Sequence, residues 1–556
     1  MKVAPAPSLT SPASATTLNV STTSQIAMAS FNLWAVGITV VIGGQYFSWN
    51  TGLSAGTASY GIASLMMGFA YLSMCMCMAE MSSMVPFEGG AFGLARCTWG
   101  FYAGFIVGCC EAVQYILYVT CSFVALGRMV AHFWPLIADY PYISWLISYV
   151  LSCAMLTVGG KSYWMWNMAL ALVSFLILIL YVLGSLSYVD IAANGGGSKL
   201  LFVGGFDQFM LVFPLTAWYY VGVESLNRLC GEVVEPRKSI PLGQMSCMFT
   251  LFATSIMVFF VTISVDPGMP TVATSLAVMN PVFNQLFNCT DKISTLLALP
   301  ATFATGQGFV QAYMKIISCM AGSKLLPSIL HEKHPKWNTP VYTIVGASCV
   351  SFALCFADYY YSLDAIVFNT CIFLGSISYL SQCFGYLYLK KNFRTMERKY
   401  NSPFGRAGAM YACGVWLWTM LAIAAYQGDG HVSVLAVVGI LSVCTAYYYA
   451  VAKERQTISD DERKALFFAH VSKHNLSKQR RGRTLGQRAK SWFVAKARKV
   501  REKSDGAPPK SSTSIISAVN SPSSKDIGRN ATGANNSKKK GVQLTVTASP
   551  STALVR

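Results

Sequence analysis

Two carboxylates of this 556-residue chain stand inside apolar stretches, each with polar neighbours at helical spacing. Glu111, Gln114 and Tyr115 are three and four residues apart, which puts them on one face of a helix. Glu224 ends the run Trp218-Tyr219-Tyr220-Val221-Gly222-Val223-Glu224. A carboxylate in an apolar helix is costly, and it points by default to proton transfer or to a positively charged partner. The alternatives are a water-exposed vestibule for Glu111 and, for Glu224, a helix-end acid paired with a loop lysine. Trp218 offers an indole face that would stabilise an ammonium group by about 0.5–2 kcal/mol. Backbone groups add to this chemistry at two breaks. Ile42-Gly43-Gly44-Gln45 carries a glycine pair in mid-run, and Phe213-Pro214-Leu215-Thr216-Ala217 leads to Gly222. Proline removes a ladder donor and glycine permits an unwound chain, so both stretches free N–H and C=O groups for a ligand.

Other chemistries find no support. The 17 cysteines all lie between Cys75 and Cys444 without a CxxC pair, so they read as small apolar packing residues. The six histidines are scattered, and neither a nucleotide loop nor a nucleophile elbow is present. Enzymatic activity, a cofactor and a metal are therefore not expected.

The elements that must hold these residues follow from composition. The chain is 54% hydrophobic and 12% charged, with a formal charge of +19. Residues 452–556 hold 23 Lys+Arg and 7 Asp+Glu, so the preceding body is nearly neutral at +3. A greasy body with a basic tail is the composition of a polytopic membrane protein. A crossing helix needs about 20 apolar residues. Such runs lie near 31–54, 59–84, 100–126, 141–158, 164–188, 207–224, 242–265, 293–318, 339–357, 362–389, 408–426 and 431–451. This predicts an all-α fold of twelve spans between a disordered tail at 1–30 and a basic tail from 452. Loop Lys and Arg number fourteen on the side of the 2–3 loop and three on the other, which predicts both termini cytoplasmic. Asn288 in Asn288-Cys289-Thr290 then lies outside as a glycosylation candidate. The defective first and sixth spans are five apart, as an inverted five-plus-five repeat with two further helices requires. A substrate between the two breaks near the midplane is the reading that follows.

Four separated motifs carry a family resemblance. Trp218 to Glu224, Gly231-Glu232-Val233-Val234-Glu235-Pro236-Arg237-Lys238-Ser239-Ile240-Pro241, Ala79-Glu80 through Phe92, and Ala321-Gly322-Ser323-Lys324-Leu325-Leu326-Pro327 resemble the amino acid–polyamine–organocation superfamily. The stretch Gln45-Tyr46-Phe47-Ser48-Trp49-Asn50 is most similar to the ethanolamine permease branch. The resemblance implies a secondary transporter of small amines, amino alcohols or amino acids that works by alternating access. An amino acid exchanger or carrier and a non-transporting nutrient sensor of the same fold are the alternatives.

Members with amino acid substrates hold the carboxylate on a Gly-Ser-Gly break at a half-helix N-terminus, where donors and dipole are favourable. Gly43-Gly44-Gln45 resembles that triplet with the third glycine lost, which favours an amine or amino alcohol. The resemblance further implies that carbonyls near Ala217 and Tyr220 meet the substrate amine. It places Trp218 against substrate, as in the arginine–agmatine antiporter, leaves Tyr219 as either contact or packing, and assigns gating or proton sensing to Glu224. Some members use a fifth-span lysine in place of sodium; here Ser174 is assigned that position. Thr302, Thr305 and Gln307 offer oxygens to a cation, although such hydroxyls usually bond their own backbone. Coupling to H+, to Na+ or by exchange all stay open. Glu80 and Lys315, near span ends, read as structural pairs.

In the tail, Ser459-Asp460-Asp461-Glu462 has the form of a capping box opening a short helix. Ser491 to Val500 mixes aromatic and basic residues, suited to an anionic inner leaflet. Partial helicity is expected to about residue 504 and disorder beyond. Nucleic acid is not an expected partner, and the plasma membrane is the expected location.

Overall fold

The computed structural model describes residues 12–86, 89–393, 396–458 and 462–463, with 12–22 as backbone only. The chain divides into two units, Met1–Gly482 and Arg483–Arg556. The second unit and the expected tail helices after residue 463 lie outside the described residues.

Twelve helices among the described residues are long and apolar enough to cross a membrane. They are Thr23–Gln45, Thr57–Met84, Phe101–Phe133, Pro141–Val158, Gly160–Ser185, Gly205–Leu229, Pro236–Ser264, Asp291–Gly322, Val341–Tyr361, Asp364–Asn392, Gly405–Tyr426 and Val432–Arg455, here spans 1 to 12. Span 2 packs on span 7, span 3 on span 8, and span 4 on span 9, the pairing that two related five-helix repeats produce. Span 1 also packs on span 7, and span 10 on span 3. Span 12 is mostly turned outward.

Two differences from the sequence expectation concern span 1. Its helix starts at Pro12 instead of emerging from a disordered tail at residue 31. Within it, Ser30 Oγ bonds back to the Ile26 carbonyl at 2.8 Å. At the other end the α-helix stops at Val41, and residues 42–55 continue as two short 3-10 segments instead of a span to 54. Gly43 and Gly44 weaken the α ladder there, and Ser48 turns the chain at φ 70°.

Span 6 has the matching interruption. Its α-helix ends at Val212, and Phe213–Tyr219 and Val223–Leu229 are 3-10 segments. Pro214 cannot donate to a ladder, and Gly222 takes φ 104° between the segments.

Most loop Lys and Arg share the face that carries the 2–3 loop, called the basic face below. Charge is neutralised there in specific pairs, some of them buried. Glu80 accepts from Lys390 at 2.7 Å and pairs with Arg398 at 3.0 Å. Lys315 pairs with Glu232. Structural pairing is thus what the geometry gives for both Glu80 and Lys315. Arg96 donates to both carboxylate oxygens of Glu462 at 2.9 and 3.0 Å.

Candidate functional site

The two breaks meet. A Cβ added to Gly44 would stand 1.9 Å from the Trp218 carbonyl oxygen, and one added to Gly222 would stand 2.4 Å from Val40. Only glycine permits the approach of unwound chain to unwound chain at Gly44 and Trp218, and Gly222 is packed against the Val40 side chain on the last turn of the span 1 α-helix. Gly43 N–H, freed from the helix, donates to Thr305 Oγ1 at 2.8 Å, and that hydroxyl donates to the Thr39 carbonyl at 3.1 Å. Thr305 of span 8 therefore fills part of the missing ladder of span 1. Thr302 behaves differently. It bonds the Ala298 carbonyl one turn back at 2.9 Å. Gln307 accepts from Trp166 at 2.9 Å.

Gln45 does not occupy the break with its side chain. Its amide donates to the Leu251 carbonyl of span 7 at 3.2 Å. The expectation that this residue fills the space of a carboxylate is corrected by that bond. Ile42 is buried in the same short segment.

The carbonyl facing the first break is that of Trp218, not those of Ala217 and Tyr220. Ala217 C=O already accepts from Tyr220 N–H and Val221 N–H, both at 3.0 Å, and Tyr220 C=O accepts from Val223 N–H at 3.4 Å. The two tyrosines also turn away from the break. Tyr219 lies on Trp49 with ring centroids 5.1 Å apart, and the Tyr220 hydroxyl meets Ser255 at 2.7 Å. Both pack spans 1, 2, 6 and 7 together; neither side chain shares the surroundings of Trp218. That indole sits edge-on among Phe47, Tyr118 and Phe368 at 5.5–5.8 Å. It forms the inner end of a cavity of about 450 Å³ on the face opposite the basic one, lined also by Ser48, Arg128, Asp364 and Asn369.

Below the breaks, towards the basic face, lies a buried polar network. Glu224 Oε2 accepts from Gly222 N–H at 3.0 Å, and Oε1 accepts from Tyr115 at 2.8 Å and Tyr379 at 2.9 Å. Gln114 donates to the Tyr379 hydroxyl at 2.8 Å. Glu111 Oε1 pairs with Arg228 at 2.8 Å and accepts from Ser378 at 2.9 Å. Arg228 also donates to Tyr115 Oη at 3.3 Å, with its guanidinium carbon 4.9 Å from that ring's centroid. Spans 3, 6 and 10 are tied here by one carboxylate and one ion pair. No loop lysine is among the bonds that hold Glu224.

Arg228 and Tyr379 were not legible as site residues. Arg228 counts as a loop cation in the sequence, yet it is 4% exposed. The signal was its place four residues after Glu224, one turn further along the same element. Tyr379 is one aromatic in an apolar run and carries no such mark. On span 5, Asn167 and Ser174 both touch span 1, the first just before the break and the second within it. Asn167 Oδ1 accepts from Thr39 Oγ1 at 2.8 Å, while Ser174 contributes its carbonyl to Tyr46 Oη at 2.5 Å. The two are seven residues apart, two turns on one face of the helix.

Among the described residues no cluster of three or more His, Cys, Asp or Glu is arranged for a metal ion. Asn288 is exposed at the end of the helix Asn280–Phe287 in the 7–8 loop, on the face opposite the basic one.

A sequence model of the family described as "Amino acid permease" matches residues 33–453. An uncharacterized transporter of Rhizobium meliloti is 24% identical over 404 residues, covering 67% of this chain and 79% of its own. A methylthioribose transporter of Bacillus subtilis is 22% identical over 428 residues, covering 71% and 88%. A glutamate/serine transporter of the same bacterium is 22% identical over 462 residues, covering 77% and 82%.

Proposed function

The chain belongs to the amino acid permease family, and on that premise we propose that it carries a small amino acid across the membrane by alternating access. The observation that carries this reading is the contact of the two breaks at Gly44 and Trp218, with a cavity that ends on the indole. A zwitterion suits the place. Backbone at the first break supports its carboxylate, and the Trp218 carbonyl and ring face support its ammonium. Glu224 acts as the gate towards the basic face, because its three donors come from the unwound Gly222 and from spans 3 and 10. Moving the second half of span 6 must break the bonds from Tyr115 and Tyr379 together.

Gly43-Gly44-Gln45 supports a second reading, an amine or amino alcohol such as ethanolamine, because the third glycine of the carboxylate cradle is absent. The bond of Gln45 to span 7 favours the first reading over this one. Competition of ethanolamine against serine, glutamate and leucine for uptake into proteoliposomes separates the two. Ethanolamine as the strongest competitor would overturn the amino acid reading.

Orientation with the basic face inside the cell is part of the proposal. Removing the buried Arg96 and Arg228 from the count leaves twelve loop cations on that face against three, which does not alter the sign. The plasma membrane is the proposed location, with the basic tail on the anionic inner leaflet.

A further inference from the structure

Asp358 is a carboxylate the transport reading does not use. It lies on the inward face of span 9 with Ser351 and Cys355, is 1% exposed, and no N–H or hydroxyl donor reaches its oxygens, whose neighbour is the Asp364 carboxyl. Span 9 ends three residues later, and Ser362 turns the chain at φ 53° so that Leu363 N–H donates back to the Asp358 carbonyl at 3.1 Å. Span 10 begins at Asp364. The tight corner brings two carboxylates beside one cation, Arg128 of span 3. Arg128 pairs with Asp364 at 2.8 Å, and both line the cavity that leads to Trp218. The titratable groups around Asp358 are Arg128 and Cys121 of span 3, Asp364 of span 10, and Cys355 and Tyr359 of its own span, with Tyr149 of span 4 against Cys355.

One guanidinium cannot serve both carboxylates fully. An ionised carboxylate buried without donors is unfavourable, so the second one must hold a proton or draw the cation away from the first. From this geometry we propose that Asp358 is a proton-binding site that controls the mouth of the Trp218 cavity. With a proton on Asp358, Arg128 stays on Asp364 and the mouth is bridged. When the proton leaves to the water of the cavity, Arg128 turns to Asp358 and the bridge opens. The proposal deepens the transport reading by making the proton its coupling ion, and it rests on that reading only for the meaning of the cavity.

The test needs no substrate. Ala125, which lines the same cavity, is changed to cysteine, and its modification by a maleimide is followed by peptide mass spectrometry at about pH 5.5 and pH 8. Thiol reactivity itself rises with pH in every variant, so the quantity read is the ratio relative to Asp358→Asn in the same background. The proposal predicts an excess of about tenfold in the parent, its restoration in Asp358→Glu, and labelling of Asp364→Asn about tenfold above that of Asp358→Asn at each of the two pH values. Equal ratios in the parent and Asp358→Asn would overturn it. If Asp358→Asn does not fold, the Asp364→Asn variant decides: labelling no higher than that of the parent at pH 5.5 overturns the proposal as well. A failed uptake panel would sink the transport reading and leave this labelling result standing.

Discussion

The backbone of Gly44 in span 1 lies so close to the Trp218 carbonyl of span 6 that a single methyl group on Gly44 would stand 1.9 Å from that oxygen. The clash involves backbone on one side and a break on the other, so no side-chain rotation relieves it. Gly44→Ala is expected to reduce transport by more than about tenfold while the other spans still assemble, because packed interiors feel even one methylene. Initial uptake rates, normalised to folded protein by size-exclusion, check this; a rate within twofold of wild type would remove the contact from the mechanism.

Trp218 gives a second prediction. Trp218→Ala should raise KM by about 2- to 30-fold, the range spanned by a cation–ring contact of about 0.5–2 kcal/mol. Trp218→Phe should recover part of the loss, since a smaller ring face remains. An unchanged KM in the alanine variant would place the substrate elsewhere.

Glu111 and Arg228 form a buried pair, so their variants should not be additive. Arg228→Met strands the Glu111 carboxylate and should cost about 3–5 kcal/mol, whereas Arg228→Met with Glu111→Leu should recover much of it. Thermal unfolding in detergent of the two singles and the double measures the coupling. Additive losses would mean that the ion pair contributes nothing.

Gln45 tests the substrate class. Its amide bonds the Leu251 carbonyl, so Gln45→Gly should lower stability by about 1 kcal/mol and leave the order of preferred substrates unchanged. A shift of preference from amines to amino acids in this variant would restore the idea that the side chain blocks a carboxylate.

Much of the frame was legible because periodicity and punctuation carry it. Twelve apolar runs and the glycine and proline positions at 43, 44, 214 and 222 mark both the spans and the breaks. The site was legible only in part. Glu111, Gln114, Tyr115 and Glu224 do come together, since helical spacing and intramembrane charge are local signals. What they bind was not local. Arg228 looked like a loop cation because Ser-Leu-Asn-Arg-Leu-Cys-Gly is mixed in polarity, and only the 3-10 continuation to Leu229 brings it inside. Tyr219, Tyr220 and Trp218 are three aromatics in a row whose directions depend on an irregular backbone. No period predicts which of them faces the break.

The central claim, a small amino acid held between the breaks and released alternately to each face, is tested most directly by counterflow. Proteoliposomes of the full chain are preloaded with unlabelled serine, glutamate or leucine and diluted into trace labelled amino acid. The account predicts transient accumulation of label for at least one of the three, abolished by Gly44→Ala. No accumulation with any of them, by protein shown to be folded, would contradict it.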